Sequence, residues 1–211
     1  NADLGLGRYV KLSAGARFDY FSTFGSSINP RLAIITRPYQ GGTTKLLAGK
    51  AFRAPSPYEL YNQGLIQLAN PNLKPEEVYS GELEHSHRFS PTIVGLASVY
   101  ANYVTNLIVS RGAGSEADPQ QLVNASSPAL AAGAEAELRR EWRDGWMFAV
   151  VYALQRTQYL DDDENRRKVP NSPTHLGSVR GAAPIVRRRH LGSSALGRGR
   201  KAGRQLRARP L

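Results

Sequence analysis

From Tyr9 to Tyr20 the chain alternates with a period of two. Val10, Leu12, Ala14, Ala16, Phe18 and Tyr20 fall on one side, and Lys11, Ser13, Gly15, Arg17 and Asp19 on the other. An extended strand sorts side chains this way, because successive residues point to opposite faces. Val78 to Phe89 repeats the pattern with opposite parity: Tyr79, Leu83 and Phe89 against Ser80, Glu82, Glu84, Ser86 and Arg88. Trp146, Phe148, Val150, Tyr152 and Leu154 share one face of the run 146–154. In the run before it, Ala134, Ala136 and Leu138 oppose Glu135, Glu137 and Arg139. Weaker alternation marks strands at 31–37, 43–54, 92–108 and 174–184, which makes eight in all. Residues 129–141 (ALAAGAEAELRRE) also have good helix propensity. Helix therefore stands beside strand as the alternative there, with the strict alternation favouring strand.

Several of these strands are ten residues or longer. Soluble sheets average about 5–6 residues per strand, whereas a tilted strand needs about 9–11 to cross a bilayer. The connections sort into two kinds. PYQGG (38–42), FSP (89–91) and RDG (143–145) are short, while 22–30, 55–75, 110–128 and 159–173 are long and polar or Pro-rich. Short and long are expected to alternate strictly, as in an outer-membrane barrel with tight turns on one side and long loops on the other. Tyr9, Tyr20, Phe21, Phe52, Tyr58, Tyr61, Phe89, Tyr100, Tyr103, Trp142, Trp146 and Tyr159 gather near the expected strand ends. That is where aromatic side chains line a membrane interface. No apolar run approaches the ~18 residues of a membrane helix.

Composition changes the picture little until the charge is located. The 211 residues carry a net charge of +11 and no cysteine, so disulfides and thiolate metal sites are excluded. Nine of the 28 Lys and Arg lie in Arg187–Leu211, which has no acid. The remaining 19 basic residues face all 17 acids, so 1–186 is nearly neutral at +2. The chain opens at Asn1 without an initiator Met or a signal sequence and is expected to be a piece of a longer one.

Five segments carry a resemblance. They are KLLAGKAFRAPSPYELY (45–61), NPNLKPEEVYSGELEHSHRFSP (70–91), ASVYANYVTNLI (97–108), AAGAEAELRREWRDGW (131–146) and VPNSPTHLGSVRGAAP (169–184). In this order they resemble the β-barrel part of TonB-dependent outer-membrane receptors. The resemblance implies an all-β fold, an antiparallel transmembrane β-barrel that is partial, with about eight strands of a larger barrel of ~22. It implies residence in the outer membrane of a Gram-negative bacterium, a plug domain inside the barrel, and energy delivered through TonB. The cargo would be a scarce small molecule such as an iron–siderophore complex, another metal chelate or a vitamin. Neither enzymatic chemistry nor a cofactor is expected. The plug and the TonB-binding box are expected only in the full-length protein. Residues 1–186 are expected to form the barrel domain. Residues 187–211 are expected to be a basic, low-complexity tail, disordered or non-native through a frame-shifted read.

Within this frame, strand 43–54 rises to the outer surface. Pro55 and Pro57 end its ladder, since proline has no N–H to donate, and Tyr58–Tyr61 anchors the loop that follows. Arg53, Tyr61 and Gln63 are the candidate ligand contacts. Lys11, Arg17, Asp19, Glu82, Glu84, Glu135, Glu137 and Arg139 are expected to face the lumen and pair with one another, with water or with the plug. His85 and His87 could form a metal pair but lack a third ligand, and they share the face of Tyr79 and Leu83. Asp161–Glu164 lacks the spacing of a Ca²⁺ loop and reads as a solvated loop. The basic tail has no aromatic residue for stacking on bases, so no nucleic-acid partner is expected. Two other readings stay open: a small self-contained outer-membrane barrel or porin-like channel, and a soluble β-sheet binding module with a basic tail. Eight strands cut from a larger barrel leave two unpaired edges, which lipid does not tolerate. The 211 residues alone are therefore expected neither to insert stably nor to transport.

Overall fold

The computed structural model describes residues 1–143, 145–161, 169 and 171–183. The tail 187–211, Asp162–Glu164 and the Asp144 of the RDG turn lie outside the described residues. Nine strands form one antiparallel meander: β1 (Ala2–Leu6), β2 (Val10–Phe21), β3 (Gly25–Thr36), β4 (Gly42–Arg53), β6 (Glu76–Arg88), β7 (Ile93–Thr105), β10 (Ala129–Arg143), β11 (Trp146–Tyr159) and β12 (His175–Ala182). A second, three-stranded sheet lies in the connections, built from β5 (Gln67–Leu68), β8 (Ile108–Arg111) and β9 (Gln120–Asn124). The one helix among the described residues, α1 (Pro57–Tyr61), follows β4. No described helix is long and apolar enough to cross a membrane, which says nothing of strands.

The strands β2 to β11 of the main sheet run 12–15 residues. At ~3.3 Å per residue and the tilt of a barrel strand, that spans roughly 30 Å, the thickness of a hydrocarbon core. Residues 129–143 are a strand, paired on both sides from Ala129 to Arg140, so the helical alternative there is excluded.

The register carries one polar face across the sheet. Lys11 lies opposite Ile35, Ile35 opposite Lys45, Lys45 opposite Glu84, Glu84 opposite Ser98 and Ser98 opposite Glu135. On the other face Leu12, Ile34, Leu46, Leu83, Val99, Ala134 and Leu154 run across the same strands in register. Because a one-residue slip would exchange the two faces, this continuity fixes every pairing. The apolar face is uncovered: Phe18 is 65% exposed, Ile28 60% and Val99 53%. A contiguous apolar surface of this size calls for a partner, and a belt of this height across a sheet fits lipid.

Two expectations change. The alternation missed β1, whose five residues are too few to show a period. The expected long loop 22–30 is a three-residue turn, because β3 begins at Gly25, so the strict alternation of loop lengths fails at this point. Ser26, Ser27, Asn29 and Pro30 suggested a loop by composition. Ser27 and Asn29 instead lie on the polar face, where Asn29 Nδ2 donates to Asp19 Oδ2 at 3.2 Å. Pro30 pairs with Ala16 just beyond the end of the β3–β4 ladder, which runs only from Arg31 to Thr36 on the β3 side. Proline is tolerated at such an unpaired edge. The remaining long connections, 54–75, 106–128 and 160–174, all leave the same end of the sheet.

Candidate functional site

The end bearing the long connections is organised around Arg53, the last residue of β4. Its Nε donates to Glu76 Oε2 at 2.6 Å, and its Nη1 donates to both carboxylate oxygens of Glu59 at 3.0 Å. Glu76 is buried, and its other oxygen accepts from the Ile108 N–H at 2.7 Å. One guanidinium thus ties β4 to α1 and, through Glu76, to the start of β8. Burial alone would raise the Glu59 carboxyl, but the Ser56 N–H and the Arg53 guanidinium outweigh it and hold the group below its ordinary range.

Helix α1 exists because Ser56 and Glu59 form a capping box. The Ser56 hydroxyl accepts from the Glu59 N–H, the Glu59 carboxylate accepts from the Ser56 N–H at 2.7 Å, and Pro57 opens the first turn. The S-x-x-E spacing was present in the sequence and announces this helix. Pro57 therefore does more than end a ladder.

The first two long connections are joined into one platform. Strand β5 pairs in parallel with β9, aligning Gln67 with Gln120 and Leu68 with Gln121. Asn70 Nδ2 donates to Leu122 O at 2.8 Å, and Gln121 Nε2 to Ala69 O at 3.0 Å. Asn124 closes the far side: its Oδ1 accepts from Lys74 N at 2.8 Å, and its Nδ2 donates to Lys74 O and Asn106 O. Leu60 and Leu73 are buried beneath. These amide-bearing residues were not picked out from the sequence. All but one of their partners lie 50–52 positions away, and no local pattern marks them.

Of the three expected ligand contacts, Arg53 is committed to Glu59 and Glu76, while Tyr61 and Gln63 are exposed at the end of α1. Tyr58, Leu65 and Ile66 are exposed on the same connection, with Leu65 at 84%. The platform therefore presents aromatic, amide and aliphatic groups on a hydrogen-bonded base.

The expected lumen charges share the polar face. Lys11 pairs with Asp3, Arg17 with Asp19, Glu84 with Lys45 and Glu137 with Arg139, at 2.6–3.2 Å. Glu82 and Glu135 have no ion-pair partner among the described residues. Tyr100, expected near an interface, points to this face in mid-sheet and donates to Gln155 Oε1 at 3.1 Å.

The opposite end has short turns and aromatic packing. Here the placement of His85 and His87 on the apolar face is explained. His85 shares hydrogen bonds with Thr44 Oγ1 at 2.8 Å and the Tyr39 hydroxyl at 2.9 Å, and His87 packs between Tyr39 and Phe89. Both ring nitrogens of His85 are engaged by hydroxyls, so the pair serves an aromatic band at the rim. Among the described residues no group of three or more potential ligands could hold a metal ion.

The comparisons with known proteins agree with this geometry. The family model described as TonB dependent receptor-like, beta-barrel, matches residues 1–192. The siderophore receptor PirA from Pseudomonas aeruginosa is 27% identical, with a TM-score of 0.62 over 74% of this chain and 31% of PirA. The FrpB iron transporter from Neisseria meningitidis is 18% identical, with a TM-score of 0.59 over 79% of this chain and 26% of FrpB. A mutant of the ferric enterobactin receptor PfeA from Pseudomonas aeruginosa, in complex with enterobactin, is 20% identical, with a TM-score of 0.61 over 73% of this chain and 26% of PfeA. The last two speak for the fold alone. The chain thus spans less than a third of the length of each of these receptors.

Proposed function

Because this chain belongs to the TonB-dependent receptor β-barrel family, and its sheet is a partial antiparallel transmembrane barrel, we propose that it forms part of the wall and outer loops of an outer-membrane uptake receptor. The observation that carries this reading is the pairing of one uncovered apolar face with one ion-paired polar face, with the long connections at one end of the strands. The apolar face meets outer-membrane lipid, and the polar face lines a lumen. The platform end is extracellular and the turn end periplasmic. Residues 1–186 are assigned to the barrel segment, and 187–211, with nine basic residues and no acid, are left out of that assignment.

The cargo is a small molecule, a metal chelate such as an iron–siderophore complex being favoured by the likeness to PirA. Tyr61 and Gln63 contact it, and Arg53 positions them by holding α1 in place. Uptake needs a plug in the lumen and energy from TonB. No bond of the cargo is broken, so the protein binds and moves its ligand without catalysis. A soluble sheet module fits poorly, because it would leave the apolar face in water.

The test is growth and localisation together. The protein expressed from its own gene should fractionate with outer membranes and migrate in a heat-modifiable way in detergent. Its deletion should abolish growth on one ferric chelate under iron limitation, and Tyr61→Ala with Gln63→Ala should weaken binding of that chelate while leaving migration unchanged. A soluble protein, or growth on every chelate tried after deletion, would sink this function.

A further inference from the structure

At the turn end, the β1–β2 and β3–β4 turns flank a cavity of about 830 Å³. Arg8, Arg37 and Arg88 line it, with Tyr9, Tyr39 and Gln40 between them, and among the described residues no carboxylate does. Arg88 is partly neutralised by a forked contact with Glu141 at 3.1 Å. Arg8 lies over the Tyr9 ring at 4.7 Å, and neither Arg8 nor Arg37 has an acidic partner among the described residues. Two uncompensated guanidiniums therefore border one open space.

The height of this cavity matters as much as its charge. Val10, Thr36 and Gly42, on the apolar-face side of the sheet, contribute to its wall. The Tyr39 ring covers Gly42 and binds His85, so the cavity adjoins the aromatic band at the edge of the apolar belt. Phospholipid phosphates lie at that level of a bilayer, and a guanidinium fork matches phosphate oxygens in geometry and charge. The same rim carries Arg140 and Arg143, whereas Glu59, Glu76, Glu77, Glu116 and Asp118 lie at or near the platform end.

We propose that the cavity between the β1–β2 and β3–β4 turns binds a phosphate-type anion through Arg8 and Arg37, its source in the membrane being the headgroup of an inner-leaflet phospholipid. The choice of leaflet rests on the outer-membrane reading above.

The experiment is native mass spectrometry of the protein expressed from its own gene, purified in an uncharged maltoside detergent. It is offered phosphatidylglycerol, zwitterionic phosphatidylcholine or inorganic phosphate. Phosphatidylglycerol should be retained preferentially, and R8A/R37A should weaken it on the order of thirtyfold, roughly fivefold per arginine. R8K/R37K should fall between wild type and R8A/R37A, since the charge remains but the guanidinium fork is lost. Displacement of the lipid by inorganic phosphate, with the same loss in R8A/R37A, would overturn the lipid source and leave a free-anion site. Equal lipid and phosphate binding by wild type and R8A/R37A would overturn the site itself. Heat-modifiable migration of R8A/R37A shows that the variant is folded. Failure of the outer-membrane reading would appear separately, as absence from outer-membrane fractions whatever the protein binds in detergent.

Discussion

The two ends of the sheet are closed by different physics. At the turn end, connections of a few residues leave little chain to organise, and order comes from aromatic rings folded over their neighbours: Tyr39 on His85 and His87, His87 on Phe89. At the platform end, two long connections have no membrane to lean on and bury few apolar side chains, chiefly Leu60 and Leu73. Order there comes from directional hydrogen bonds by Arg53, Glu76, Asn70, Gln121 and Asn124. The turn end should therefore yield gradually to substitution, while the platform should fail as a unit. Hydrogen bonds to a shared buried carboxylate are lost together, whereas ring contacts are individually weak.

The sharpest way to break that contrast is Glu76→Ala. It removes the acceptor for both Arg53 and the Ile108 N–H, and should cost the platform about 3 kcal/mol. Limited proteolysis should then cut 54–75 and 106–128 at similarly raised rates. Cleavage rising in only one of them would mean that they are not one unit. Two glycines sharpen the comparison next. Gly112 sits at φ +95 with the Pro119 carbonyl where a Cβ would go, so backbone must move, and Gly112→Ala should cost about 2 kcal/mol. Gly42 lies under the Tyr39 ring, a mobile side-chain end, so Gly42→Ala should cost about 1 kcal/mol through the lost Tyr39–His85 contact. Hydrogen exchange at each end would rank the pair, and a larger effect at Gly42 would reverse the contrast.

The smallest effect is in pH. Glu59 is held below its ordinary value of 4.5, so its contribution is complete above that value and disappears only as pH falls through the lower, folded-state value. Platform protection should persist through pH 4.5 and decline in more acid solution. Glu59→Gln should reduce that dependence without touching the turn end, the remainder coming from Glu76, which, against its burial, the Arg53 guanidinium and the Ile108 N–H also hold low. An identical acid profile for wild type and Glu59→Gln would exclude Glu59 as its source.

Most of the wall could be read from the chain in advance, since Val10–Tyr20 and Trp146–Leu154 state their own faces. The residues that failed to announce their place did so for identifiable reasons. Asn29 and Pro30 look like loop residues unless one knows that a polar lumen and an unpaired edge receive them. His85 looks misplaced on an apolar face until Tyr39 and Thr44 are brought across the turn and the neighbouring strand. Arg53 looks free to meet a ligand until Glu59 and Glu76 converge on it. Ser56 and Glu59 carry a capping spacing that would have announced α1, but the strand pattern drew attention only to the prolines beside them.

What the sequence determined by itself was the set of strands and which side of each is apolar, because a period of two is a local property of extended backbone. It also determined, through the order of its segments, the family to which the wall belongs. What only the tertiary structure decided was how the outer connections are joined, which cations are already neutralised, and where two arginines from separate turns are left to face one cavity. Such contacts close loops of tens of residues between positions that share no local pattern, so their partners become visible only once the strands are paired in register.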